Sequence, residues 1–594
     1  MSVLAVTRTA LGGAAQDART AWSRAAWLAV GAVAAAALMP FVLGDIVRLD
    51  GLAETGYLAV AAIGLGFAVG IGGMPSVAQG AFVGVGAVTA AHFVGAGWPV
   101  PAAAVIGAAL AGIGGIAVGA AIVRFRPVYV AAATWIATWL FALGLEAFPR
   151  ISGGARGLAV TPEWSPTAHY ELALALIVIA TLGHRVLSGA SFGLALRAAA
   201  QRPAAAAALG TEGGRLRLRA FAGAAAVGGL AGGFAVSLLG VADSGSYDAE
   251  LSFRLLVAVL VGGAASALGP TVGVLLLGLL TVVADEFGHL TGSESARFGP
   301  MLAALLLLPV LTLAEEGIVP AVSSRLRGRR SPTIGAARPS GEGGVLEAEG
   351  LTKRFGGLVA LDRLDLDVRP GRLLALIGPN GSGKTTVLRL LAGTLRPDTG
   401  HVKIDGADAT GEPPSRRARR GLVRTLQANA VFPVLTALEN AVVGASLRRR
   451  YGGALRTLLA TPKARAEAAE VRAGALAALR AVGLEHRADA PAGSLPTTEQ
   501  RLLMVASALA TDPRVLLLDE PSAGAGAREL ERLQRVLLAL DAEGLAILVV
   551  EHNLRLVRAI ADEVIVLDAG KKLAAGRPEE IARDQTVRRA YFGR

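Results

Sequence analysis

The chain has 594 residues, of which 53% are hydrophobic and 18% charged, and its formal net charge is +12. A chain of this length exceeds a single hydrophobic core, so at least two domains are expected. Most of the excess charge is arginine in short segments beside apolar runs, where membrane proteins place it; no nucleic-acid partner is therefore expected. The lack of cysteine excludes disulfides, zinc–thiolate sites and a catalytic thiol.

Residues 25–315 consist mainly of Ala, Gly, Leu and Val. A helix needs about 20 apolar residues to cross a bilayer, and on this measure about ten spans are predicted, with about eight as the alternative. The predicted spans lie near 27–43, 57–72, 79–96, 101–123, 128–147, 171–187, 218–240, 252–265, 267–284 and 299–314. No removable signal peptide is expected, and a polytopic helical membrane domain is predicted for residues 1–316.

The arginines between these spans indicate a topology. Arginine groups precede the first span, follow the fourth, follow the sixth and follow the last, so an even number of spans places all of them on one side. The positive-inside rule makes that side the cytoplasm. Acidic residues populate the opposite loops, at Asp45, Asp50, Glu163, Asp243, Asp248, Glu250, Asp285 and Glu286.

A polar stretch rich in Pro, Gly and Arg follows the apolar half at 317–343 and is predicted to be a flexible linker. From about Val345 onward, short apolar runs alternate with helical patterns, which is typical of an α/β domain. We therefore predict a second domain over residues 344–594.

A complete P-loop pattern lies between an apolar run at 373–377 and a helical run that ends at Gly393. In this strand–loop–helix context, glycines let backbone N–H groups surround phosphate oxygens, and the helix dipole attracts the anion. Lys384 is expected to reach the β- and γ-phosphates, and Thr385 to hold Mg²⁺. The residues predicted to bind ATP here are Gly378, Pro379, Asn380, Gly381, Ser382, Gly383, Lys384, Thr385 and Thr386.

Two more apolar runs end in polar side chains. The run at 515–518 leads into Asp519 and Glu520, and the run at 546–550 leads into Glu551 and His552. Asp519 suits coordination of Mg²⁺, directly or through water, and Glu520 is placed to polarise the attacking water. The order of P-loop, acidic strand and His-terminated strand indicates that His552 senses the γ-phosphate.

Two further residues make the set of motifs resemble that of a known protein family. Gln427 resembles the Q-loop glutamine of ABC ATPases, and Phe355 fits the aromatic residue that stacks on adenine. With the motifs above, nearly all of 345–594 resembles the ABC ATPase family. The resemblance implies catalytic roles for Glu520, His552 and Gln427, and magnesium ligation by Thr385, Gln427 and Asp519.

The resemblance narrows to the ATP-binding subunits of branched-chain amino acid importers. It rests on the segments 424–427, 431–440 and 550–553, a long helical insert at 445–485, and the ending 590–593. The apolar half resembles the permease subunits of the same importers at 70–87, 151–158, 192–198 and 261–270. Segment 188–215 is then interpreted as the coupling helix, which docks on an ATPase domain.

One motif departs from the family pattern. The ABC signature is Leu-Ser-Gly-Gly-Gln, and the aligned residues here are Leu495, Pro496, Thr497, Thr498 and Glu499. Thr498 replaces a glycine that lets the backbone approach the nucleotide of the opposite subunit, and a Cβ hinders that approach. Glu499 adds negative charge nearby. The D-loop segment 521–526 also lacks an expected polar residue. These departures concern the partner's ATP site.

The predicted fold is thus a type II ABC importer-like membrane domain followed by an α/β ABC ATPase. The resemblance implies ATP-driven import of branched-chain or other hydrophobic amino acids across a bacterial cytoplasmic (inner) membrane, with the ATPase in the cytoplasm. It also implies a second permease, a second ATPase, an extracytoplasmic solute-binding protein and contact with membrane lipid. Import of urea or short amides, an ABC exporter, a non-transport ABC regulator and a weakly hydrolysing nucleotide-gated subunit are the alternatives.

Overall fold

The computed structural model describes residues 49–125, 127–243, 245–291, 317–320, 344–425, 430–448 and 454–592. The chain divides into two units. The first comprises the described residues within Met1–Gly70, Met74–Arg185 and Leu218–Arg325, and the second those within Ile71–Gly73, Val186–Arg217 and Leu326–Arg594. Segment Val186–Arg217 is therefore grouped with the C-terminal residues.

Helices dominate the N-terminal half of the described chain. They are α1 (Leu49–Gly66), α2 (Gln79–Gly95), α3 (Val100–Ile122), α4 (Pro127–Ala147), α5 (Pro166–Gly189), α6 (Ser191–Gln201), α7 (Pro203–Ala208), α8 (Gly213–Leu239), α9 (Ala249–Gly262) and α10 (Gly269–Thr291). A π-helical turn at Phe67–Ile71 extends α1, and short helical turns occur at Pro149–Ser152, Gly154–Arg156 and Gly245–Tyr247. Two-residue strands at Leu158–Ala159 and Val241–Ala242 pair antiparallel.

Five helices among the described residues are long and apolar enough to cross a membrane, at Leu49–Ile71, Val100–Ile122, Val128–Ala147, Pro166–Gly189 and Gly213–Leu239. They match five of the predicted spans. Helix α2 and the Gly269–Leu280 part of α10 are shorter apolar helices, and α9 has 14 residues. The predicted spans at 27–43 and 299–314 lie outside the described residues, so a total of ten stays a prediction.

A break in the helical structure separates the predicted second and third spans. Residues 72–78 separate the π-helical turn from α2, and Val77 in this break is buried. Thr134 Oγ1 accepts from Val77 N at 2.9 Å, and Thr138 Oγ1 donates to Val77 O at 2.7 Å. Irregular backbone at membrane depth needs such internal partners because lipid supplies none.

Small residues allow the helices of this unit to approach closely. A Cβ on Gly86 of α2 would lie 1.9 Å from the carbonyl oxygen of Gly229, and one on Gly232 of α8 would lie 2.0 Å from that of Val83. Backbone against backbone at this spacing is the packing that small residues give to membrane helices. The two glycines therefore serve the contact between α2 and α8.

The second unit contains the α/β fold that the alternation of runs predicts. Its strands are β1 (Leu346–Phe355), β2 (Leu358–Val368), β3 (Leu373–Ile377), β4 (Thr399–Ile404), β5 (Ala407–Asp408), β6 (Leu422–Arg424), β7 (Val515–Asp519), β8 (Ala546–Val550), β9 (Glu563–Asp568) and β10 (Lys571–Gly576). Its C-terminal helices are α11 (Lys384–Leu391), α12 (Pro414–Arg419), α13 (Ala437–Ala445), α14 (Ala454–Leu458), α15 (Pro462–Ala481), α16 (Thr497–Leu509), α17 (Ala527–Ala542), α18 (Leu554–Ile560), α19 (Pro578–Arg583) and α20 (Gln585–Phe592). Short 3₁₀ turns occur at Ser446–Arg448, Glu485–Arg487 and Ala492–Ser494.

The strands form a six-stranded sheet of order β10-β9-β3-β8-β7-β6 and a four-stranded sheet of order β2-β1-β4-β5. Strands β9, β3, β8, β7 and β6 are parallel. All five residues of β3, of β7 and of β8 are buried, as expected for parallel strands covered on both faces. Parallel strands end at one edge, so the residues that follow β3, β7 and β8 meet there.

Candidate nucleotide site

The P-loop connects β3 to α11 in a conformation that requires glycine. Gly378 has φ +155° and Gly383 has φ +104°. A Cβ on Gly378 would lie 2.2 Å from the Leu567 carbonyl oxygen, and one on Gly383 would lie 2.7 Å from that of Ala360. Backbone packing around the loop therefore excludes a side chain at both positions.

Lys384 is the first residue of α11, and its side chain folds back into the loop. Its Nζ donates to the carbonyl oxygens of Gly378 at 2.7 Å and Pro379 at 2.8 Å. Burial lowers the pKa of Lys384, and the negative charge of Glu520 partly opposes that shift. Asn380, Gly381 and Thr385 are exposed. The loop thus holds one ammonium at its centre and leaves its rim open to a ligand.

The end of β7 carries a buried acid with a basic partner. Asp519 is 5% exposed, and Arg424 Nη2 at the end of β6 donates to its Oδ2 at 2.8 Å. Both side chains are nearly inaccessible, at 6% and 2%. This ion pair was not predicted, because its formation depends on the parallel pairing of β6 with β7.

Glu520 follows Asp519 with φ +45°, a left-handed conformation that is uncommon for a residue with a side chain and is concentrated at functional sites. Its N–H donates to the Val550 carbonyl oxygen at 2.9 Å, which fixes it to the end of β8. His552 stands just beyond that end and is exposed. Asp519 pairs with Val550 in the register of the two strands. Glu520, which is predicted to polarise the attacking water, and His552, the predicted γ-phosphate sensor, therefore lie at neighbouring strand ends.

The predicted adenine contact is also accessible. Phe355 ends β1 and is 48% exposed, and Lys353 Nζ lies 5.8 Å from the centre of its ring. An exposed aromatic face next to a cation suits stacking on a base. Gln427 lies outside the described residues. Among the described residues, no group of three or more His, Asp or Glu side chains could hold a metal ion.

The signature residues begin a helix. Thr497 is the first residue of α16 and Pro496 precedes it. Hydrogen bonds from the Gly526 backbone N–H and, second, from the Thr498 side chain lower the pKa of the Glu529 carboxyl. Glu499 Oε2 lies 3.2 Å from Arg487 Nε. The charge that Glu499 introduces therefore has a cationic partner within this chain.

Segment 188–215 packs within the second unit. Its apolar side chains Leu194, Ala198, Ala205 and Leu209 share one buried core with the residues of α13 and of β3, β7 and β8. Glu212 forms an ion pair with Arg419 of α12. Burial lowers the pKa of Arg197 on α6, and Glu439 at the start of α13 opposes the shift. The predicted docking segment is thus in contact with the C-terminal α/β residues.

These features define a P-loop ATPase of the ABC type in one chain with a helical membrane domain. Residues 361–523 match the family model described as ABC transporter, and residues 47–311 match the model described as branched-chain amino acid transport system / permease component.

Curated relatives match the C-terminal half. The high-affinity branched-chain amino acid transport ATP-binding protein BraF of Pseudomonas aeruginosa is 39% identical over 42% of this chain and 98% of that protein. LivG of Escherichia coli, which bears the same description, is 37% identical over the same shares. A solved structure of a nucleotide-free ATP-binding cassette from an ABC transporter is 30% identical over 42% of this chain and all of that one, with a TM-score of 0.38. The chain belongs to the ABC transporter family that includes the branched-chain amino acid transport systems, and it joins a permease component to its ATP-hydrolysing component.

Proposed function

We propose that this chain drives the import of branched-chain or other hydrophobic amino acids across the bacterial cytoplasmic (inner) membrane by hydrolysing ATP. The observation that carries the proposal is the presence, in one chain, of the permease match at 47–311 and an ATPase whose relatives act in branched-chain amino acid transport. The proposed division is a permease over 1–316, a linker over 317–343 and an ATPase over 344–594.

The residues at the nucleotide site fit a magnesium–ATP complex. Mg²⁺ is usually held by one or two protein oxygens together with substrate phosphates and water. Thr385 and Asp519 would supply those oxygens, with Gln427 as a further ligand. The ion would neutralise charge that develops on the phosphate oxygens.

Hydrolysis would rest on Lys384 and on the residues predicted to be catalytic, Glu520, His552 and Gln427. Lys384 would bind the β- and γ-phosphates, Glu520 would orient and polarise the attacking water, and His552 would contact the γ-phosphate. Such catalysis acts through positioning and electrostatic stabilisation. The short separation of the β7 and β8 ends, held by the Glu520–Val550 hydrogen bond, supports this grouping.

The proposed assembly includes a second permease, a second ATPase and an extracytoplasmic solute-binding protein. The arginine distribution supports a cytoplasmic location for both termini and the linker. A protease site inserted within 321–343 should be cut in inverted membrane vesicles and protected in intact cells. Cleavage from outside intact cells would contradict this topology.

The proposal is tested by measuring the uptake of labelled leucine. The strain used lacks its own branched-chain transporters and expresses this chain together with its neighbouring transport genes. Uptake should depend on ATP and disappear with Lys384→Ala. Labelled urea in the same cells tests the alternative solute. Leucine uptake that persists in Lys384→Ala, or uptake of urea alone, would contradict the proposed function.

A further inference from the structure

Glu551 is a fully buried carboxylate at the end of β8, at 0% exposure. Its Oε1 accepts from the Ser522 backbone N–H at 2.8 Å, and its Oε2 accepts from Ser522 Oγ at 2.8 Å. Oε2 also accepts longer bonds from the N–H groups of His552 at 3.2 Å and Asn553 at 3.4 Å. Among the described ion pairs none involves Glu551, so these hydrogen bonds stabilise its charge.

These bonds join two segments of the nucleotide site that are distant in sequence. Ser522 lies in the D-loop segment, two residues after Glu520, and His552 directly follows Glu551. Glu520 is tied to the same strand end through its N–H bond to Val550 O at 2.9 Å. Glu520 and Ser522 are therefore both hydrogen-bonded to the end of β8.

We propose that Glu551 is a positioning residue for ATP hydrolysis. By holding the D-loop against the end of β8, Glu551 fixes the positions of His552 and Glu520 relative to each other. Among the described residues, the Glu551 side chain hydrogen-bonds to residues 522, 552 and 553 and to no P-loop side chain. Its role therefore concerns the hydrolysis step and leaves nucleotide binding to the P-loop. The inference depends on ATP hydrolysis by this chain and is independent of the solute that is transported.

The chemistry of the four bonds predicts separable effects. Glu551→Gln keeps the size of the side chain but replaces one acceptor oxygen with an NH₂ group. With the amide oxygen accepting from the Ser522 N–H, the new NH₂ group takes the place of Oε2. This NH₂ group can donate to a rotated Ser522 hydroxyl, but it cannot accept from the N–H groups of His552 and Asn553. That variant therefore loosens His552 most. Ser522→Ala removes only the hydroxyl bond and loosens the D-loop.

The test is steady-state ATPase kinetics of the assembled transporter that contains the full chain, with Glu520→Gln as the inactive baseline. Glu551→Gln should lower kcat by about 10- to 100-fold, the size of effect that small misplacements of catalytic groups produce, and should leave KM for ATP within about twofold of the parent value. Ser522→Ala should lower kcat less, and Glu551→Asp should recover part of the loss.

Ser507→Ala is the matched control. Ser507 is 5% exposed, against 4% for Ser522, and its hydroxyl donates at 2.8 Å within its own helix to Leu503 O. Its loss should leave kcat unchanged. Three results would overturn the proposal: an unchanged kcat in Glu551→Gln, equal losses in Ser522→Ala and Ser507→Ala, or a loss of ATP binding in Glu551→Gln as large as the loss of turnover. If Glu551→Gln does not fold, the comparison of Ser522→Ala with Ser507→Ala decides the question.

Discussion

The Lys384 ammonium and the Glu520 carboxylate should contribute to different steps of the ATP cycle. Lys384 Nζ sits among the carbonyl oxygens of the P-loop, so Lys384→Ala should remove about 2–5 kcal/mol of ATP binding free energy, the usual loss for a buried charged partner. Glu520→Gln keeps the shape of the side chain and should bind ATP without hydrolysing it. Photolabelling of this chain with an azido-ATP and phosphate release by the assembled transporter measure the two effects.

Lys403→Ala serves as the control for that pair. The ammonium of Lys403 donates to Glu349 on the surface, at 2.7 and 2.9 Å, and its removal should change neither readout. Parental turnover by the Glu520→Gln transporter would show that Glu520 does not activate the water.

The Arg424–Asp519 pair should matter for the stability of the ATPase. Loss of one partner from a buried ion pair leaves an uncompensated charge and typically costs about 3–5 kcal/mol. Arg424→Gln should therefore lower the Tm of the purified chain markedly. Arg420→Gln breaks the more exposed pair with Glu412, whose N–O distance is also 2.8 Å, and should change Tm little. Equal Tm shifts in the two variants would contradict this prediction.

Three strands of the ATPase could be predicted because each is a continuous apolar run. The runs at 373–377, 515–519 and 546–550 all form buried parallel strands. Parallel strands bring their carboxyl ends together, which explains why the P-loop, Asp519 and Glu551 meet at one edge.

The side-chain partners at that edge could not be predicted in the same way. Arg424 and Asp519 are separated by 95 residues, and Ser522 and Glu551 by 29. Their contacts depend on strand order and register, which the local pattern does not contain. The same limit applied to Glu499, whose charge suggested repulsion until the three-dimensional arrangement placed Arg487 beside it at 3.2 Å.

Gly210 follows α7 and packs against Leu447 in the 3₁₀ turn after α13. A substitution at Gly210 should therefore disturb the contact between this turn and the segment formed by α6 and α7. Gly210 has φ +84°, and a Cβ there would lie 2.3 Å from Leu447 Cδ1. Gly210→Ala therefore adds both backbone strain, about 1–2 kcal/mol, and a steric clash. It should reduce solute uptake more than it reduces basal ATP hydrolysis, because it disturbs the contact of this segment without touching the nucleotide.

Gly214→Ala is the control for this change, since a Cβ on Gly214 would meet nothing within 4 Å. Leu447→Ala combined with Gly210→Ala removes the clash but keeps the strain, and should recover part of the uptake. The ratio of leucine uptake to ATP hydrolysis in proteoliposomes is the measurement. A ratio in Gly210→Ala equal to that in Gly214→Ala would rule out a coupling role for this contact.

In the assembled transporter, each ATP would lie between the P-loop of one ATPase and the signature of the other. The nucleotide site of this chain has the full predicted set Lys384, Thr385, Asp519, Glu520 and His552, so a site built on its P-loop should be active when the partner supplies a normal signature. The other site would use the start of α16, where Thr498 has a Cβ in place of glycine. Because Arg487 pairs with Glu499, steric crowding by Thr498 should outweigh charge repulsion.

We therefore expect unequal nucleotide occupancy at the two sites. Thr498→Gly should tighten ATP at the partner's P-loop, Glu499→Gln should add a smaller effect, and neither should change ATP binding at Lys384. Occupancy of each site is measured with the P-loop lysine of the other ATPase removed. Equal occupancy and turnover at both sites of the parent transporter would show that the altered signature has no effect. Strong ATP hydrolysis by a transporter that contains only copies of this chain would exclude the asymmetry, since both sites would then carry Thr498.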